Sequence, residues 1–160
     1  MKALHDAPAR RRWLLAALAG GLAACTDKGP AWPEGMKPIH WDRDACARCG
    51  MVISDRRFAV QARGGGETLN FDDIGCAVVY RSQKGAQHPW LAGAAARWWV
   101  ADVASEDGTR WLDARQAHYV AGVHSPMGYD FAAHGAAQPG SLGFDAMAAR
   151  VLAAEGALRP

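Results

Sequence analysis

The chain has 160 residues, 50% of them hydrophobic and 21% charged, which fits one soluble globular unit or two small subdomains and excludes a disordered chain. Its 18 lysines and arginines against 16 aspartates and glutamates give a formal charge of +2. That surplus belongs to the first 24 residues: without Lys2, Arg10, Arg11, Arg12 and Asp6 the remainder holds 14 basic and 15 acidic side chains, so no basic patch points to nucleic acid as a partner.

Residues 1–24 read as a lipoprotein signal peptide. The four basic residues make a positive n-region, and Trp13 to Ala24 form an apolar stretch of about a dozen residues, too short to span a bilayer. The run Leu22-Ala23-Ala24-Cys25 looks like a lipobox, with cleavage before Cys25 and lipid attached to its sulfur. Arg10-Arg11-Arg12 also resembles a twin-arginine signal, and either export route predicts a protein exported and lipid-anchored to a bacterial membrane, facing the periplasm. Residues 25–44, rich in proline and glycine and without periodicity, are expected to be a flexible tether, in which Met36 and His40 are weak ligand candidates.

The first subdomain is expected over residues 45–105. It opens on Cys46-Ala47-Arg48-Cys49-Gly50-Met51. A redox-active pair would need a helix N-terminus after its first cysteine, whereas Gly50 and the β-branched Val52-Ile53 favour a turn into a strand. Structural zinc needs four N or S ligands, and no second paired motif supplies them. Copper(I) prefers thiolate and thioether donors and accepts two or three of them, so Cys49 and Met51 on either side of a flexible Gly50 suit it best.

Beyond this motif the pattern becomes strand, turn, strand and helix. Arg56–Arg63 alternates, Gly64-Gly65-Gly66 turns, Glu67–Phe71 returns, and Asp72 is the expected N-cap of a helix that Gly85 closes. Cys76, on the apolar face of that helix, reads as a small buried hydrophobe first and a ligand second. Arg97–Ser105 and Thr109–Leu112 form an expected hairpin around Glu106-Asp107-Gly108 that joins the halves. Trp90, Trp98, Trp99 and Trp111 read as packing residues.

The second subdomain, 106–160, repeats the first. Phe58 and Phe71 recur as Phe131 and Phe144, and the helix that follows Asp72 recurs after Asp145. With a short gap, Cys49-Gly50-Met51 aligns with Pro126-Met127-Gly128, which predicts one methionine per half, facing each other across a pseudo-twofold interface. Met127 stands in a polar loop where packing gives little reason for it. His124, three residues before it, is the best nitrogen candidate, while His118 falls in a strand and His134 in a turn. The fold class is therefore α+β, two homologous small ββαβ-type subdomains after a signal peptide and tether.

Taken in order, the lipobox at Cys25, CARCGM, RRFAVQ, FDDIGCAVVY, YVAG and SPMGYDFAAH resemble the NosL family over about Cys46 to Leu152. The resemblance implies two homologous ββαβ subdomains and a membrane-tethered periplasmic copper(I) chaperone, not an enzyme. Its expected partners are nitrous oxide reductase or its maturation machinery, and the membrane through the lipid on Cys25. It also implies Cys49, Met51 and Met127 as ligands, with Cys46 beside them; His124 and Cys76 stand as weaker candidates from the residues themselves. The alternative is a thiol-dependent oxidoreductase or organometal lyase-like enzyme using the same cysteines with Asp72 or Asp73.

Overall fold

The computed structural model describes residues 32–105 and 110–157. The expected signal peptide, the expected lipid-attachment residue Cys25 and the expected turn at 106–108 lie outside the described residues. Among those described, no helix is long and apolar enough to cross a membrane.

The architecture is α+β. Strands β1 (Val60–Gly64) and β2 (Glu67–Phe71) pair antiparallel around Gly65 and Gly66, whose φ angles of +57° and +82° give the left-handed backbone that a tight hairpin turn needs. Arg56–Phe58, expected as the start of this first strand, instead forms a 3₁₀ turn, because the Asp55 side chain accepts from the Arg57 N–H and caps it. Helix α1 (Ile74–Lys84) follows β2, then β3 (Arg97–Ala101) and β4 (Trp111–Asp113). The sheet order is β2-β1-β3-β4, with α1 between β2 and β3 in the chain. β4 lies beyond the expected boundary at 105, yet it forms the edge of this first sheet.

The second half is smaller. Strands β5 (His118–Ala121) and β6 (Phe131–His134) make a two-stranded sheet, and helix α2 (Phe144–Ala157) follows. His134, expected in a turn, ends β6 opposite His118. The pairing also differs from a strict repeat. Leu142, which should answer to β2, bonds Tyr119 on the other side of β5 instead of pairing β6, because loop 122–130, closed by the Gly122 N–H to the Asp130 carbonyl, turns β6 back onto β5.

The core is continuous through both halves. It runs from Ile53, Val60, Phe71 and Val79 through Trp98 to Tyr119, Phe131, Phe144 and Met147, and α1 packs on α2. The expected tether is corrected over 32–44: Met36 and Ile39 are buried in that core, and the Gln61 side chain bonds both backbone groups of Lys37. Two apolar anchors and a pair of hydrogen bonds outweigh the proline content of the segment.

Candidate metal centre

The CARCGM segment folds as a tight loop. The Cys46 N–H donates to the Met51 carbonyl, the Gly50 N–H donates back to the Cys46 carbonyl, and Gly50 takes a φ of +75° to close it. Ala45 bridges Val52 below it, and the Ala47 N–H donates to the Asn70 carbonyl, which seats the loop on the end of β2. The chain leaving β2 turns at Asp72-Asp73 into α1. Asp73, not Asp72 as the sequence suggested, is the N-cap: its carboxylate accepts from the Gly75 N–H.

This junction brings four donors together. Ligand atoms of Cys46, Cys49, Asp72 and Cys76 all lie within 4.8 Å of one another. Cys46 and Cys76 are 2% and 0% exposed, while Cys49 is half-buried, so the cluster has one side toward solvent. The Cys49 thiol donates to Asp72 Oδ2 at 3.4 Å, and Asp72 Oδ1 is buried without a hydrogen-bond partner. A buried carboxylate oxygen left without a partner beside three thiols is what a cation would satisfy. Sulfur ligands about 2.3 Å from a shared ion lie roughly 4 Å apart, so binding needs little rearrangement.

The three sulfurs are electrostatically unequal. The hydrogen bond from Cys76 brings the Cys46 thiol down to about 7 against its burial. Burial pushes Cys49 up to about 11. Cys76, the donor to Cys46 and itself buried, is raised well above the ordinary thiol range. Cys76 also sits in the first turn of α1, where the helix dipole favours negative charge. The helix N-terminus missing from the sequence around CARCGM is thus supplied in space by α1.

The second half closes the site from the other side. In loop 122–130 the Ser125 hydroxyl and the Met127 N–H both donate to Asp73 Oδ2, at 2.5 and 3.3 Å. The Tyr129 ring lies against Gly75 so closely that a Cβ there would stand 2.0 Å from it. The Tyr129 hydroxyl donates to Glu155 of α2, and Glu155 binds Arg48 at 2.7 Å. The Arg48 guanidinium stacks on Tyr129 and reaches to 3.9 Å from Cys76 Sγ. One cation therefore spans the cysteine loop, the second-half loop and α2.

The expected ligands are distributed unevenly over this geometry. Cys46, Cys49 and Cys76 meet. Met51 stays 56% exposed beside Cys49, with its backbone N–H toward the Cys49 sulfur. Met127 is half-buried against the core, and its loop is tied to the residue next to Asp72. The His124 side chain is 96% exposed, faces Asp130 and is not among the clustered donors. Met36 is in the core and His40 pairs with Asp44. Sequence reasoning missed Arg48 as part of the site, and gave Asp72 only as a helix cap or, in the enzyme alternative, as an acid beside the thiols. The four-residue interval from Asp72 to Cys76 was the available signal, since it places both on one side of a helix start.

Three thiols and a carboxylate suit a soft monovalent ion through sulfur alone, or a tetrahedral divalent ion through all four donors. A family model described as NosL matches residues 39–139, which include CARCGM, the α1 start and the Met127 loop. No curated protein matches the chain.

Proposed function

The chain belongs to the NosL family, one of copper-binding accessory proteins, and from that premise we propose that it is a carrier of copper(I), lipid-anchored at Cys25 and facing the periplasm, that supplies nitrous oxide reductase or its maturation machinery. The observation that carries this reading is the convergence of Cys46, Cys49 and Cys76 beside the two methionine loops. Copper(I) is cargo here. It is soft and d¹⁰, so the thiols are its preferred donors and the thioethers of Met51 and Met127 serve as outer ones, while hard Asp72 takes another role. Each thiol that becomes a ligand gives up a proton, and Asp72 Oδ2 is the nearest acceptor for that of Cys49. Arg48 and the α1 N-terminus offset the negative charge the sulfurs then carry.

Delivery follows from the burial gradient. Cys46 and Cys76 hold the ion from within, and Cys49 and Met51 face outward, so an acceptor's thiolate or imidazole enters on their side before the inner sulfurs let go. Transfer through a shared-ligand intermediate keeps free copper(I) from forming.

The test is copper(I) affinity measured against a competing chelator under reducing conditions. Cys46→Ser, Cys49→Ser and Cys76→Ser are each expected to weaken binding by roughly tenfold or more, with smaller losses for Met51→Ala and Met127→Ala. X-ray absorption of the loaded protein should count about three sulfurs. Unchanged affinity in all three cysteine variants would sink the proposal.

A second reading has one observation in its favour, the Asp72 carboxyl 3.4 Å from the Cys49 thiol. In cleavage of a metal–carbon bond, the sulfurs would take the metal while the proton of the Cys49 thiol, passed to Asp72 Oδ2, went on to the departing carbon. Release of hydrocarbon from an organomercurial, catalytic in protein, would favour it over the carrier.

A further inference from the structure

Trp32, Trp41 and Trp111 take no part in the metal centre, and they form a cluster of their own. Their ring centroids lie 5.6 to 6.5 Å apart, with Trp41 and Trp111 stacked at 9°. All three pack on the core with one side and remain partly exposed with the other. Trp111 stands on β4, an edge strand of the larger sheet, and the exposed Arg56 lays its guanidinium 5.3 Å from the Trp41 ring. Packing alone does not call for three partly wet indoles with a cation on one of them. Tryptophan prefers the boundary of a bilayer, where its ring enters the acyl region and its N–H stays near the headgroups, and arginine snorkels to phosphate there; Trp111, whose Nε1 is buried, would offer its ring only.

The chain length fixes where this cluster can be. Trp32 follows Cys25 by seven residues, which can reach at most about 24 Å. A lipid on Cys25 thus holds the cluster within headgroup range. We propose that the Trp32-Trp41-Trp111 face, with Arg56, is a membrane-docking surface whose partner is the interface of a bilayer containing anionic phospholipid. It rests on acylation of Cys25, and it is independent of which metal the cysteines hold. Docking gives the anchored protein a fixed orientation: the lipid supplies a high local concentration of bilayer, and three indoles and one guanidinium supply the second, orienting contact.

The test uses the full chain, expressed with its signal peptide, extracted from the membrane and reconstituted into vesicles of phosphatidylcholine with about a quarter phosphatidylglycerol, some with acyl chains brominated near the headgroup. Brominated lipid is expected to quench tryptophan emission. Trp32→Phe with Trp41→Phe should lose about half of that quenching or more, whereas Trp90→Phe, which removes the indole packed on the Gly64-Gly65 turn, should retain it. Arg56→Glu, an exposed change that leaves the packing intact, should lower quenching with phosphatidylglycerol and not with phosphatidylcholine alone. Acylated protein that sediments with vesicles while its indoles stay unquenched overturns the proposal and leaves the lipid anchor standing. An extracted protein whose mass carries no acyl chain removes the anchor, and the proposal with it.

Discussion

Cys46 holds its proton less tightly than the two thiols beside it, and this leaves a mark on stability. Its value of about 7 in the folded state lies below the ordinary 9.0, so between these pH values the folded chain binds fewer protons than the unfolded chain. Stability of the metal-free, reduced protein is therefore expected to rise from pH 7 to 9, by on the order of 1 to 2 kcal/mol. Above pH 9 the sign reverses, because Cys49 at about 11 and the raised Cys76 keep protons that the unfolded chain has lost. Urea unfolding across this range should show a maximum near pH 9, and Cys46→Ser should flatten the rising limb while keeping the fall. A rising limb that survives in Cys46→Ser would assign it to other groups.

At the scale of elements, the first turn of α1 organises the site. Asp73 caps the helix and holds Ser125 and Met127 with its other oxygen, although burial raises its pKa. Asp73→Ala removes the cap and strands the buried Ser125 hydroxyl and the half-buried Met127 N–H, so it should cost about 2 to 4 kcal/mol and loosen the Met127 loop. Gly75→Ala drives a methyl into the Tyr129 ring and should cost about 1 to 3 kcal/mol. Tyr129→Ala removes the obstacle, so the double variant should fall short of the sum of the single losses in denaturant unfolding; additive losses would show that the two residues do not meet.

The same junction marks what could be read from the sequence. The β1-β2 hairpin, α1 and α2 were legible because their turn glycines and apolar periods are local signals. The cysteines of CARCGM were legible as metal-ligand candidates by residue type. What escaped is non-local. Cys76 and Asp72 become neighbours of Cys46 only when the Ala47 N–H reaches the Asn70 carbonyl, and Arg48 matters only because α2 brings Glu155 to it. The Pro and Gly content of residues 32–44 concealed two core anchors, Met36 and Ile39. The internal repeat located α2 correctly but mispaired β6, since strand partners are set by the loop between strands and not by offset alone.

For the whole molecule, the metal centre and the core cross the two halves at the same place. Every clustered sulfur comes from the first half, yet Asp73, Gly75 and Arg48 are held by Ser125, Tyr129 and Glu155 of the second, and Trp98 and Tyr119 both pack edge-on to Phe144. Unfolding should accordingly be one transition, with amide exchange in β1 and β5 opening at the same free energy. Copper(I) at about a hundred times its dissociation constant should add about 2.7 kcal/mol, or roughly 10 °C in midpoint for a body of this size. That gain should reach β5 and α2 as fully as β1, although neither supplies a sulfur. Protection confined to the first half on loading would mean that the two halves share a surface without sharing a folding unit. The second-half loop would then be a cover over the candidate site, with no role in its stability.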